Sequence, residues 1–344
     1  MKFPKEFPEE TTNPIYTEFF SKSKLEAKVE KTKWRNQPSK NSFCFINPEV
    51  KYNEREGVVL KKLKEVFGID SNTFDTKFRQ AISGDGQEVK RILTLHSSSL
   101  AALLLLYSVS ENELKCTLDG ENYTFNDCFF EVKTNVKDSH FSNMDVVLVG
   151  KNSEGRDVIF FLESKFSEYL NPGMCNNISI DAYQEKYEEL GLTKAEGLIR
   201  GLCFGIGKGK DSKDCIQIKS LDPHSPQYCS GIKQMISHYM GVTNFINNGE
   251  EALDPKQKPC FNELVNLRDG AKIILGEVLF AFDDKVDKGK TKFSRYSSIY
   301  RDLAKVLELK KKSSRLHILP EVLTYQELLK DFKIDSKVKD FYQL

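Results

Sequence analysis

The sequence predicts an α/β fold: a central mixed β-sheet flanked by helices, with a helical extension at the N-terminus. Three observations carry it. Apolar residues recur at helical spacing from Arg55 to about Ser108, and from Leu114 the pattern changes to strand-like alternation. Leu114–Leu118 and Tyr123–Val132 are separated by Asp119-Gly120, a pair suited to the positive φ angles of a tight hairpin turn. Beyond residue 180 helical and strand-like segments alternate, as expected where helices pack on a sheet.

The elements follow in order. Pro4, Pro8, Pro14 and Pro38 punctuate the first fifty residues, and the Lys-rich stretch from Lys22 to Lys40 has few apolar residues beyond Leu25, Val29 and Trp34. It reads as a solvated arm, or as one that touches phosphates. Val58, Val59, Leu60, Leu63, Val66 and Phe67 form the apolar face of a first helix. A second is expected from about Gly86 to Ser108, and its end, Leu100–Leu106, is apolar on nearly all sides and should be buried against the sheet. After the Asp-Gly hairpin, Met144–Val149 and Val158–Lys165 are strands joined by the turn-rich segment Lys151–Arg156. Asp181–Leu190 is a helix by the spacing of Tyr183, Tyr187 and Leu190, and 191–227 is a long irregular region. Gly231–Phe245 is a helix, Ile273–Phe282 a strand, Ser297–Leu309 a helix, His317–Leu319 a short strand and Thr324–Phe332 a helix. Residues 1–85 form an arm and helical extension, and 86–344 the main domain.

Composition excludes several classes. With 344 residues, 39% apolar and 29% charged, the chain can bury a large core and is not disordered. Fifty-one basic against fifty acidic residues leave a net charge of +1, which excludes a polycation but allows a local basic groove. The apolar run Leu100–Tyr107 is too short for a membrane span, and Pro and Glu interrupt the N-terminus where a signal peptide needs apolar residues. The eight cysteines are then expected to be reduced thiols of a cytoplasmic protein.

The chemistry concentrates in Ser142-Asn143-Met144-Asp145-Val146-Val147-Leu148 and Phe160-Phe161-Leu162-Glu163-Ser164-Lys165-Phe166. An acid two residues before a lysine says little alone, because it recurs at Glu49-Val50-Lys51, Glu88-Val89-Lys90 and Asp335-Ser336-Lys337. Position distinguishes this copy. Side chains alternate along a strand, so Glu163 and Lys165 share a face. A hairpin centred near Glu154 sets Asp145 opposite Glu163. The flanking residues of both strands are apolar on both parities, as in central strands covered on two sides. Unpaired charge on such strands costs several kcal/mol, so the three charges require a reason. One reason is a salt bridge in which Lys165 neutralises both acids. The other is a divalent-cation site, since two carboxylates offer the hard oxygens Mg²⁺ takes. A bound ion activates water, and the lysine orients it or stabilises charge growing on a phosphate.

At these residues the chain resembles the PD-(D/E)xK nuclease superfamily, with its restriction-endonuclease-like αβββαβ core: an acid on one strand and (Asp or Glu)-x-Lys on the next. The resemblance covers roughly residues 86–285. It implies Asp145, Glu163 and Lys165 as catalytic residues. It further implies Asp145, Glu163 and the Ser164 backbone carbonyl as ligands of Mg²⁺, for which Mn²⁺ can substitute. Met144 stands where the family often has Pro, and the preceding helix has acids only near its ends, at Glu88, Glu111 and Glu113. Some relatives add Gln-x-x-x-Tyr on a later helix. Gln234 fits, with His238 in the tyrosine's place and Tyr239 one residue late, and Gln184 is an alternative. The implied activity is metal-dependent hydrolysis of phosphodiester bonds in nucleic acid, DNA first. The alternative is a non-catalytic DNA-binding or scaffold protein of the same fold. No membrane partner is expected, and a homodimer stays open.

Other segments carry less. Glu131-Val132-Lys133 rivals the Glu163 motif but has no partner acid legible on a hairpin strand. The glycines around Gly207-Lys208-Gly209-Lys210 lack phosphate-loop spacing and read as a basic loop. Cys203, Cys215, His224 and Cys229 lack the close cysteine pairs of structural zinc. The basic stretches Lys285–Arg295 and Lys310–Arg315 read as solvated surface or the lining of a DNA groove.

Overall fold

The computed structural model describes residues 14–23, 25, 29–33, 41–45, 55–83, 92, 94–137, 140–170, 177–192, 202–208, 214–220, 231–257 and 261–344. Most of the basic N-terminal arm, the start expected for the second helix, the 209–213 loop, His224 and Cys229 lie outside these residues, as do the side chains of Gln184, Cys203 and Cys215.

A small antiparallel pair, β1 (Glu30–Lys33) and β2 (Asn41–Cys44), precedes the helices α1 (Arg55–Phe67) and α2 (Asn72–Ala81). The sequence reading did not anticipate α2. Ser71 caps it by accepting the Phe74 N–H at 3.2 Å, and Phe74 and Phe78, one turn apart, are buried. The apolar helix expected to begin near Gly86 is α3 (Ser98–Leu106), with a tighter turn through Ser110. Its start is fixed by Ser97, which accepts the Leu100 N–H, and just before it Thr94 bridges to Cys44 in extended backbone. Leu100 to Leu106 are all buried, as their lack of a polar face requires.

The alternation that begins at Leu114 builds β3 (Leu114–Leu118), β4 (Glu121–Lys137), β5 (His140–Asn152) and β6 (Asp157–Lys165), each antiparallel to the one before. Asp119 and Gly120 take positive φ at the first turn. Next come β7 (Asn177–Ser179) and α4 (Ile180–Glu189). The region read as irregular contains a hairpin, β8 (Leu202–Lys208) and β9 (Asp214–Ser220), which with β7 makes a separate three-stranded sheet. α5 (Ile232–Asn248) and α6 (Asn262–Leu267) lead to β10 (Lys272–Leu279), which lies parallel to β6.

α7 (Thr291–Lys310) then leads to β11 (Leu316–Ile318) and β12 (Leu323–Thr324), both parallel to β10 along its other edge. The helix expected over 324–332 is the single turn α8 (Tyr325–Leu328), closed by a capping box between Thr324 and Glu327, and α9 (Ser336–Tyr342) ends the chain. The result is a seven-stranded mixed sheet, ordered β3-β4-β5-β6-β10-β11 with β12 beside β10, flanked by helices. β6 is buried from Val158 to Lys165. Phe161 packs on Phe245 of α5 at 5.6 Å between ring centroids, so α5 covers one face of β6. On the other, the Ser164 hydroxyl lies 2.8 Å from the Tyr325 hydroxyl and donates to the Ser98 carbonyl. Among the described residues no helix is long and apolar enough to cross a membrane.

Candidate active site

β5 and β6 pair in the register that the turn implied. Val146 lies opposite Leu162, and one further step puts Asp145 opposite Glu163. The ladder ends there, and the Asp145 carboxylate instead accepts the Ser164 N–H at 2.8 Å. Within a strand the N–H and C=O of one residue leave on the same side. The Ser164 carbonyl therefore faces β5 and Asp145, while the Lys165 carbonyl faces β10 and accepts the Phe280 N–H at 2.9 Å. Three of the residues read from the sequence, Asp145, Glu163 and Lys165, thus meet at the carboxyl end of β6, with the Ser164 carbonyl on their side.

Glu163 is the hub. Its Oε1 accepts from the Lys165 ammonium and from Gln234 Nε2, the latter at 2.8 Å. Its Oε2 lies 2.8 Å from His238 Nε2, and the far ring nitrogen of His238 is hydrogen-bonded to the Ser142 hydroxyl. Gln234 and His238 are one turn apart on α5, which is why one helix reaches both oxygens. Gln234 is exposed and His238 buried. Tyr239 turns away and donates to the Lys310 carbonyl.

Two more acids join them. Glu277 stands beside Glu163 in the parallel β6–β10 register and accepts the Tyr296 hydroxyl at 2.6 Å. A side chain at Gly231, which precedes α5 at φ +42°, would place its Cβ 2.5 Å from the Tyr296 hydroxyl and 3.0 Å from Glu277 Oε1, so only glycine fits there. Glu131 sits between the pairs Phe130–Val146 and Val132–Met144, which puts it opposite Asp145. It takes φ +52°, uncommon for a residue with a side chain. The sequence shows no partner acid for Glu131, and the fold supplies one in Asp145. A row of Glu131, Asp145, Glu163 and Glu277 therefore crosses four neighbouring strands, with Lys165 beside it.

The charges in this row are unequal in standing. Burial pushes Glu163 up, but the Lys165 ammonium and His238 outweigh it and hold its carboxyl at about 2. Burial also works against the Lys165 cation, yet Glu163 and Asp145 raise its pKa above the usual lysine value. Asp145 goes the other way: burial, then the charges of Glu163 and Glu131, push its carboxyl well above the ordinary range. Burial likewise raises Glu277 to about 7, with Lys165 and Tyr296 partly opposing. The ammonium seen in this row, that of Lys165, sits on Glu163.

The donor set suits a hard divalent cation: two carboxylates and a carbonyl, all oxygen, with Asp145 disfavoured as an anion until positive charge arrives. In the observed arrangement Glu163 is engaged by Lys165, Gln234 and His238. Among the described residues no group of three or more His, Cys, Asp or Glu side chains is already set to hold an ion. Cys44, Cys116 and Cys128 are free thiols.

The sequence gives Glu277 and Tyr296 no place in the site, names Ser142 only as the start of the strand segment, and names His238 only as the residue in the tyrosine's place. Glu277 left a signal, as the one acid within Ile273–Phe282, and His238 left another, as a histidine on the apolar face of α5. Ser142 left none. No protein-family model, no curated protein and no solved structure matches this chain.

Proposed function

We propose that this protein is a metal-dependent nuclease of the PD-(D/E)xK type, hydrolysing phosphodiester bonds in nucleic acid, DNA first. The supporting observation is the register that sets Asp145 opposite Glu163 with Lys165 on the same carboxylate, at the end of a buried strand. The order α3, antiparallel β4–β5–β6, crossover through α5 and parallel β10 resembles the αβββαβ order expected of a restriction-endonuclease-like core and supports this reading.

Asp145, Glu163 and the Ser164 carbonyl would hold Mg²⁺ or Mn²⁺. The ion supplies an activated water and neutralises phosphate charge when bound. The chain's own residues do the rest. Gln234 and His238 fix the Glu163 carboxylate in one orientation, and Ser142 fixes the His238 ring. Lys165 keeps its proton and offers its charge to the phosphate as negative charge grows on it. α5 on one face and Tyr325 with α3 on the other keep bulk water from the strand ends.

A second reading has an observation of its own. Lys165, Gln234 and His238 already satisfy Glu163, as in a structural ion pair within a non-catalytic DNA-binding or scaffold protein. That reading leaves Asp145 and Glu277 without a reason. Supercoiled, linear and single-stranded DNA and RNA, each titrated with Mg²⁺ and Mn²⁺, separate the two. The nuclease reading expects metal-dependent cleavage that Asp145→Asn abolishes, because asparagine keeps the Ser164 bond and loses the charge. No cleavage of any substrate at any metal concentration would leave the scaffold reading standing.

A further inference from the structure

The chain leaving β10 carries three exposed lysines on a segment that begins at the carboxyl ends of the strands bearing Glu163 and Glu277. β6 and β10 end level, Leu279 beside Lys165, so residues 280–292 continue directly from the site. The segment is tied down at both ends. Phe282 packs on Phe166 at 5.1 Å, Lys292 Nζ donates to the Leu170 carbonyl, and Tyr296 returns to Glu277.

Its three aspartates are spent on its own backbone. Asp283 accepts the N–H groups of Lys285 and Val286 at 3.1 and 3.3 Å, and Asp284 that of Gly289 at 2.7 Å. Asp287, 1% exposed, accepts those of Lys292 and Phe293 at 3.1 and 2.9 Å. Lys285, Lys288 and Lys290 are all exposed. Lys290 takes a left-handed φ of +48°, a conformation that costs a non-glycine residue backbone strain. Lys22 lies 3.3 Å from Asp283 and offsets its charge, and Asp287 faces the positive amino end of α7. Of the segment's own acids, Asp284 alone remains to oppose three exposed ammonium groups.

We propose that Lys285, Lys288 and Lys290 form a docking rim for the phosphate backbone of the nucleic-acid substrate, leading it to Lys165 and the acid row; this rests on the nuclease reading above. Three lysines on one pinned turn, on the segment that leaves the proposed site, match a polyanion with regularly spaced charges.

The test measures binding of a labelled DNA duplex against salt concentration, without divalent metal. It compares the wild type with the triple variant Lys285→Gln, Lys288→Gln, Lys290→Gln. A control, Lys61→Gln, Lys115→Gln, Lys151→Gln, removes the same charge from other surfaces, Lys151 lying near the opposite end of the sheet. Each lost phosphate contact lowers the slope of log affinity against log salt by roughly 0.9. The rim variant should lose about 2–3 units of slope, and the control should match the wild type. Both should melt with the wild type, since all six side chains are on the surface. Equal slopes for rim variant and wild type would overturn the rim while leaving the nuclease reading intact. Equal losses in rim and control variants would overturn it too, by showing a response to net charge alone. A wild type that binds no nucleic acid would remove the parent reading and the rim with it.

Discussion

Glu277 shows how one residue reports on the whole site. Burial raises its carboxyl from an ordinary value of 4.5 to about 7, so the folded protein holds it neutral where the unfolded chain would ionise it. The stability that follows is complete below the unfolded value and is lost as pH rises through about 7. The shift corresponds to about 3 kcal/mol across that window, at 1.36 kcal/mol per pH unit. Glu277→Gln keeps an acceptor for the Tyr296 hydroxyl and removes the ionisation. Urea melts of wild type and variant at a series of pH values between 4 and 8 should show the wild type losing stability relative to Glu277→Gln as pH rises. Parallel curves would mean that Glu277 is not held neutral.

α5 controls the site as an element, because it crosses β4 closely enough to bring Gln234 and His238 onto Glu163. The two elements approach closely at Gly241, where an added Cβ would stand 2.1 Å from Thr134 Oγ1 and 3.0 Å from Thr134 Cβ. Gly241→Ala should therefore destabilise the fold by about 1–3 kcal/mol, as overpacking does. Adding Thr134→Ala should restore part of that loss, since it removes the nearer atom. Melts of the two single variants and the double variant should be non-additive. Strict additivity would mean that the two elements do not meet as described. The same geometry explains what could be read in advance. Asp145, Glu163 and Lys165 were legible because a short hairpin turn and a two-residue period fix which side chains meet. Glu277 and His238 come from beyond a long crossover, and residue spacing says nothing about how a helix is rotated over a sheet. The strands β8 and β9 were missed among glycines and lysines that break an apolar pattern, and α2 because Lys77 interrupts its buried face.

Across the whole molecule the acid row is held from several directions. Phe19, Phe20, Phe45 and Phe67 from the N-terminal part meet Phe166, Phe280, Phe341 and Tyr342 in one aromatic cluster just past the end of β6. Phe20 stacks on Phe341 at 5.1 Å, so the segment before α1 and the last helix close over the strand that carries Glu163 and Lys165. Folding stability and the charge state of the site are thus linked, and melting becomes a probe of function. The most direct test of the central claim is the thermal melting of Lys165→Met with and without Mg²⁺, read beside a cleavage assay. Without Mg²⁺ the variant should lose about 3–5 kcal/mol, as expected when one partner of a buried ion pair is removed. Mg²⁺ should restore most of that stability by taking over the charge of the two carboxylates, while cleavage falls by at least ~10²-fold. A variant that is markedly unstable, is not rescued by Mg²⁺ and still cleaves as well as the wild type would contradict the account.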